Sequence, residues 1–201
     1  MATQHKFLLL IISIGLVVGL FSKSAYHYEN KTPWNIQPFG NGQIHVFGIT
    51  PGTTTIQDAN LILGHFAEIR LYNTEPPRLI AVHDNIQLGA ETATIELEYQ
   101  LDALDLAELQ QTVNDFSPCR YAVPTVEQQI ALLNTPIQKI IYTAKRQYNS
   151  SDIERQLGKA DEIQQVNATQ QIILYRKYNL SIYINNDKPD VLVYENILGS
   201  L

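Results

Sequence analysis

Few residues in this chain are of a type that does chemistry, and their spacing favours none of the usual reactions. The five histidines are His5, His27, His45, His65 and His83. No two of them stand at the separation that lets a helix or hairpin hold a metal ion. His65 follows Gly64, where a cation near a helix C-terminus meets the negative end of the helix dipole. His83 is followed by Asp84, an acid–base pairing in principle and a turn residue in the plainer reading. Glu96 and Glu98 flank one position of the run ATIELEYQL. Two such carboxylates act as a tuned pair only when a wall desolvates one of them. Asp102, Asp105 and Glu108 lack the glycine and oxygen spacing of a calcium loop and suit helix capping. Cys119 is the single cysteine, so no internal disulfide is available to the fold. The sequence has no nucleophile elbow, zinc-peptidase helix, paired-cysteine motif, phosphate loop or dinucleotide fingerprint. No catalytic, cofactor-binding or metal-ligating residue is assigned, and the chain reads as a protein other than an enzyme.

Aromatic residues carry a different signal. Tyr175, Tyr178, Tyr183 and Tyr194 crowd the last strands. On an exposed sheet face they would form a partner surface, since tyrosine gives contact area with a polar tip. Under a helix they would be core. Phosphate backbones require clustered lysine and arginine. The net charge is -6, and the longest basic cluster is Lys145-Arg146, which argues against nucleic acid as a partner.

The elements that would position these residues come in two similar sets. TPGTTTIQDANLILG (50–64) reads as a strand end, a hydroxyl cap, a short helix with Ile56, Ala59, Ile62 and Leu63 on one face, and a terminating glycine. NSSDIERQLG (149–158) repeats that punctuation, and Glu-Ile follows at the same distance in both. In 93–101, Ala93, Ile95, Leu97, Tyr99 and Leu101 alternate with polar residues, the period of a strand with one wet face. Capping-box patterns at Asp105/Glu108 and Thr125/Gln128 predict a helical middle, followed by the strand IQKIIYTA.

The expected fold class is α+β. It consists of two similar modules, each a short helix followed by a three-stranded antiparallel sheet, joined by a helical middle section after an N-terminal membrane segment. The corresponding boundaries are 1–25 for a signal anchor or signal peptide, 26–43 for a linker, and 44–118 for the first module. A helix–strand connector spans 119–148, and the second module spans 149–201.

The membrane expectation rests on the run from Phe7 to Phe21. Its apolar positions are Phe7, Leu8, Leu9, Leu10, Ile11, Ile12, Ile14, Leu16, Val17, Val18, Leu20 and Phe21. As a helix the run reaches roughly 22 Å, short of a ~30 Å hydrocarbon core and long for a signal-peptide core. An uncleaved single-pass anchor in the inner membrane, with the remainder in the periplasm and a lipid contact through residues 7–21, is the expected location. A soluble periplasmic chain after cleavage is the alternative.

The stretch PGTTTIQDANLILG resembles the exported domain of the outer-membrane-assembly lipoproteins of the SmpA/OmlA, or BamE-like, family. The matches fall at Gly52, Thr53, Asp58, Leu63 and Gly64. SSDIERQLGKADEI through YNLSIYINN resembles a second copy. That likeness implies a short helical section on a three-stranded antiparallel sheet. With Pro33-Trp34 and the VFGITPGTT stretch (46–54), the chain also resembles an uncharacterised group of gammaproteobacterial membrane-anchored exported proteins. It lacks the acylated cysteine of the lipoproteins, so their role in outer-membrane assembly does not transfer. The functional expectation is a non-catalytic accessory protein that binds a protein partner, a membrane complex among the options, through its α+β modules. The alternative is a periplasmic enzyme or small-ligand binder with a pocket between the modules, lined by His83, Asp84 or the Glu96/Glu98 strand.

Overall fold

The computed structural model describes residues 31–99, 101, 103–112 and 121–195. The run from Phe7 to Phe21 and Cys119 lie outside these. The described chain opens with a small hairpin, β1 (Gln37–Pro38) and β2 (Ile44–His45). It continues through helix α1 (Ile56–Leu63) and strands β3 (Glu68–Tyr72), β4 (Arg78–Leu88) and β5 (Glu91–Tyr99). Next come α2 (Ala103–Thr112), β6 (Tyr121–Ala122), α3 (Val126–Leu132) and β7 (Ile137–Ala144). The last set is α4 (Ser150–Leu157), β8 (Glu162–Gln165), β9 (Gln170–Tyr175), β10 (Leu180–Asn185) and β11 (Val191–Glu195).

Nine strands form one sheet in the order β6-β3-β4-β5-β7-β11-β10-β9-β8, with every neighbouring pair antiparallel. This corrects the expected fold class. There are not two helix-plus-three-strand modules around a helical middle. Strand β7, which the sequence places in a connector, is the centre of the sheet. It pairs with β5 on one side and with β11 on the other. Each half therefore lays four antiparallel strands side by side behind a helix, β3-β4-β5-β7 after α1 and β8-β9-β10-β11 after α4, with α2, β6 and α3 inserted between β5 and β7 in the first, and the halves meet along their last strands. Because β7 and β11 run antiparallel, the joint relates the halves as a local two-fold axis would.

The helices of the two halves keep step with their first strands. Ile56–Leu63 and Ser150–Leu157 have the same length, and the strands that follow open on Glu68 and Glu162. Local chemistry sets both helix starts. At α1 the cap is Thr55, whose hydroxyl oxygen accepts the Asp58 N–H while the Asp58 carboxylate accepts the Thr55 N–H. At α4 the cap is Asn149, accepting from the Ser151 N–H at 3.0 Å. Gly64 closes α1 in the left-handed conformation, φ 68°, where a Cβ would be strained.

Alternation in the strands separates two faces. Ile69, Leu71, Leu79, Ala81, Ile95, Leu97, Ile140, Tyr142, Ile182, Leu192 and Tyr194 point to one side and form a single core with Ile56, Ala59 and Leu63 of α1 and Ile153 of α4. Phe47 enters this core at the joint. Its ring stacks on Tyr142 of β7 at 5.4 Å and meets Tyr194 of β11 edge-on at 5.8 Å. The segment before it ties to both halves. Lys31 Nζ donates to the Ile62 carbonyl of α1, the Tyr194 hydroxyl donates to the Pro33 carbonyl at 2.8 Å, and Asn179 Nδ2 donates to the Gly42 carbonyl at 2.7 Å.

The expected transmembrane helix, its signal-anchor role and the single-pass inner-membrane location are likewise corrected. Among the described residues no helix is long and apolar enough to cross a membrane, and the secondary structure is mainly strand.

Candidate functional site

The face of the sheet away from the core is the candidate site. Strand pairing orders its side chains into rows. The middle row crosses eight strands: Glu68, Val82, Glu96, Ile141, Val193, Ser181, Leu174 and Glu162 stand opposite one another in turn. One neighbouring row runs Arg70, Ile80, Glu98, Lys139, Glu195. The other runs Thr94, Thr143, Val191, Tyr183, Ile172, Gln164. Ile80 and Val82 are buried yet stand apart from the core cluster. In the rows Ile80 stands between Arg70 and Glu98, and Val82 between Glu68 and Glu96. No described helix contributes to these rows.

The first half of this face is an ion-pair lattice. Arg78 forks onto Glu98, with Nε at 3.1 Å and Nη2 at 2.8 Å. Lys139 Nζ lies 3.6 Å from Glu98 and 3.1 Å from Glu195. The Arg70 Nε donates to Glu68 at 3.0 Å, and its Nη2 sits 3.7 Å from Asp84. Its guanidinium also lies 4.8 Å over the ring of Tyr121. Burial pushes the Glu98 carboxyl up, but the Arg78 hydrogen bonds and the Lys139 charge outweigh it, and the net shift is downward. Glu96 goes the other way: burial raises its pKa, and Arg78 and Arg70, acting from a distance, do not cancel that. The rest of the face is partly apolar, with Ile141, Thr143, Val191, Val193, Ile172 and Leu174 half-buried and Tyr183 42% exposed, and its far edge carries Glu162 paired with Arg176.

The four tyrosines are thereby divided. Tyr183 is on the open face. Tyr175 and Tyr194 are buried on the core side, their hydroxyls donating to the carbonyls of Gly158 and Pro33. Tyr178 is half-buried in a 3-10 turn beside Lys177. The residues of the expected pocket do not converge either. A β-bulge falls between His83 and Ile86, with Asn85 at φ 55°. His83 is turned into the core at 0% exposure, while Asp84, Glu96 and Glu98 face the other way. The Asp84 carboxylate accepts from Thr94 Oγ1 at 3.1 Å. Neither ring nitrogen of His83 meets a hydrogen-bond partner. Burial and the facing His65 ring, 6.2 Å away, push its pKa down to about 4, and the nearby His65 backbone opposes this without completing a hydrogen bond.

Sequence reasoning passed over Glu91. Its Oε2 accepts from the Tyr142 hydroxyl at 2.9 Å and the Tyr148 hydroxyl at 2.6 Å, and Arg146 pairs with its other oxygen. Asp190, fully buried, accepts the backbone N–H of Tyr148 at 2.5 Å and of Asn185 at 3.1 Å. These groups fasten the hairpin of β4 and β5, the end of β7 and the turn before β11 to one another. Burial pushes the pKa of both tyrosines up, so they act as hydrogen-bond donors and not as bases. Two open depressions lie among the described residues. One of about 320 Å³ lies between α2 and α3 beside Leu109 and Leu132. Another of about 380 Å³ lies beside Thr54, Asp58 and Leu61. Among the described residues no cluster of three or more His, Cys, Asp or Glu side chains is placed to hold a metal ion.

No protein-family model matches the chain, and comparison with curated proteins and with solved structures finds no match. The resemblance to the SmpA/OmlA family rests on its sequence motifs alone.

Proposed function

We propose that this chain is a non-catalytic protein-interaction module that receives a protein partner on the open face of its sheet. The observation that carries the reading is the asymmetry of the sheet. Helices α1 and α4 supply core to one side, while the other presents rows of side chains spanning eight strands with no described helix over them. A continuous apolar strip beside a fixed array of charges is what a protein interface uses, an apolar centre with a polar rim. Rigid strands also hold such a surface without the ordering cost that a loop would add on binding.

Site-specific photo-crosslinking tests this. Benzoylphenylalanine is placed one position at a time at Thr143 and Tyr183 on the open face, and at Leu61 on the outer side of α1. The expected result is one shared protein product from the two sheet positions and none from Leu61. Products from Leu61 alone, or no product from either sheet position, would overturn the reading.

A further inference from the structure

The charges on the open face do not balance, and the imbalance has an address. Besides Glu162 at the far edge, which pairs with Arg176, five carboxylates, Glu68, Asp84, Glu96, Glu98 and Glu195, stand with three cations, Arg70, Arg78 and Lys139. The cations are all engaged: Arg70 by Glu68 and Asp84, Arg78 by Glu98, Lys139 by Glu98 and Glu195. Four of the carboxylates have a cation in contact. Glu96 alone has neither an ion pair nor a hydrogen bond among the described residues.

Its position makes this costly. Across the strands its neighbours are Val82 and Ile141, both apolar, and along β5 they are Thr94 and the already paired Glu98. A half-buried carboxylate in such a setting loses hydration without gaining a partner. Replacement by a neutral side chain would remove that cost in the isolated protein. Glu96 also sits where the two halves of the face change character, with the ion-pair lattice on one side and Ile141 and Val193 next in its row on the other.

We propose that Glu96 is the anchor for a cationic side chain, lysine or arginine, of the docked protein partner, with apolar residues next to that side chain seated on Ile141 and Val193. This rests on the interaction reading above and names the chemistry of its partner. A charge brought to an unpaired, partly desolvated carboxylate gains more than the same charge on a solvated rim, which makes Glu96 the residue that selects the partner.

The test uses the full chain with benzoylphenylalanine at Thr143, next to Glu96 on the face, in otherwise wild-type, Glu96→Gln and Glu195→Gln backgrounds. The crosslinked segment is sequenced by mass spectrometry. The urea midpoint of each variant without crosslinker is measured in isolation. The expected result is a crosslinked partner segment containing lysine or arginine, with at least tenfold less product in Glu96→Gln and little change in Glu195→Gln. The isolated Glu96→Gln chain is expected to unfold at the same or a higher urea concentration than wild type. Product that survives Glu96→Gln undiminished overturns the anchor while leaving the docking face standing. A captured segment without a basic residue does the same, and so does a product made only of two copies of this chain. A lower urea midpoint for Glu96→Gln gives Glu96 a structural role and also overturns the anchor. Absence of product at Thr143 removes the anchor, and its absence at Tyr183 as well removes the docking face.

Discussion

The halves on either side of the β7–β11 joint share a backbone plan and differ in almost everything laid upon it. In the first half the strands are long, 11 residues in β4 and 9 in β5. Their counterparts β9 and β10 have 6 each. The buried helix position is Ala59 in α1, helped by Ile56, and Ile153 in α4. On the open face the first half carries interlocked charges and the second carries Val191, Val193, Ile172 and Tyr183. What the two sets have in common is a cap, an inward leucine and a glycine, which are requirements of a short helix feeding a sheet. The punctuation fixes the scaffold, and the strand residues that differ carry the surface on which a partner would choose.

Breaking the joint gives the largest expected effect. Phe47→Ala removes the ring between Tyr142 and Tyr194 and is expected to cost about 3–5 kcal/mol. If the halves form one cooperative unit, urea unfolding followed by tyrosine fluorescence and by far-ultraviolet circular dichroism shifts as a single transition. Two separated transitions would mean that the halves are independent.

A second effect belongs to the first half alone. His83 is buried neutral, and its pKa is lowered from 6.5 to about 4. The unfolded chain therefore binds a proton that the folded chain refuses between these values. Stability is complete above pH 6.5 and falls as the pH drops toward 4, by on the order of 3 kcal/mol. Urea midpoints at pH 7.5 and pH 5 measure this, and His83→Leu is expected to flatten the difference. An unchanged pH dependence in that variant would assign it to the carboxylates instead.

Smaller effects compare the caps. Thr55→Ala breaks a reciprocal capping box and is expected to cost about 1 kcal/mol, whereas Asn149→Ala removes a single acceptor and is expected to cost less. Equal losses would put the two helix starts on the same footing. Smallest is the lattice. Arg78→Ala cuts a fork whose arginine is 39% exposed, and such pairs contribute about 0–1 kcal/mol. A loss of several kcal/mol would show that the array holds the sheet together and does not only dress its surface.

Part of this was legible in the residues. The alternation through Ala93, Ile95, Leu97 and Tyr99 assigns Glu96 and Glu98 to the wet face of β5, and Leu63-Gly64 and Leu157-Gly158 mark the helix ends. The place of β7 was not legible. IQKIIYTA shows a strand, but which strands it joins depends on pairings distant in sequence, and no local pattern records them. The tyrosines divide for a similar reason. In β10 the period of Leu180, Ile182 and Ile184 puts Tyr183 on the opposite side. In β11 Val191, Leu192, Val193 and Tyr194 are all apolar or aromatic, so the pattern cannot say which face is buried. His83 was hidden by the bulge after it, which shifts the alternation that periodicity relies on.

The order in which the joint is made follows from its position. Synthesis from the N-terminus completes β3, β4, β5 and β7 well before β11 exists. Until Val191–Glu195 has left the ribosome, β7 offers a free row of backbone donors and acceptors beside Ile140 and Tyr142. Such an edge is a template for the wrong neighbour. The nascent chain thus passes through an interval in which β7 lacks its neighbour, and the arrival of its last described strand ends that interval.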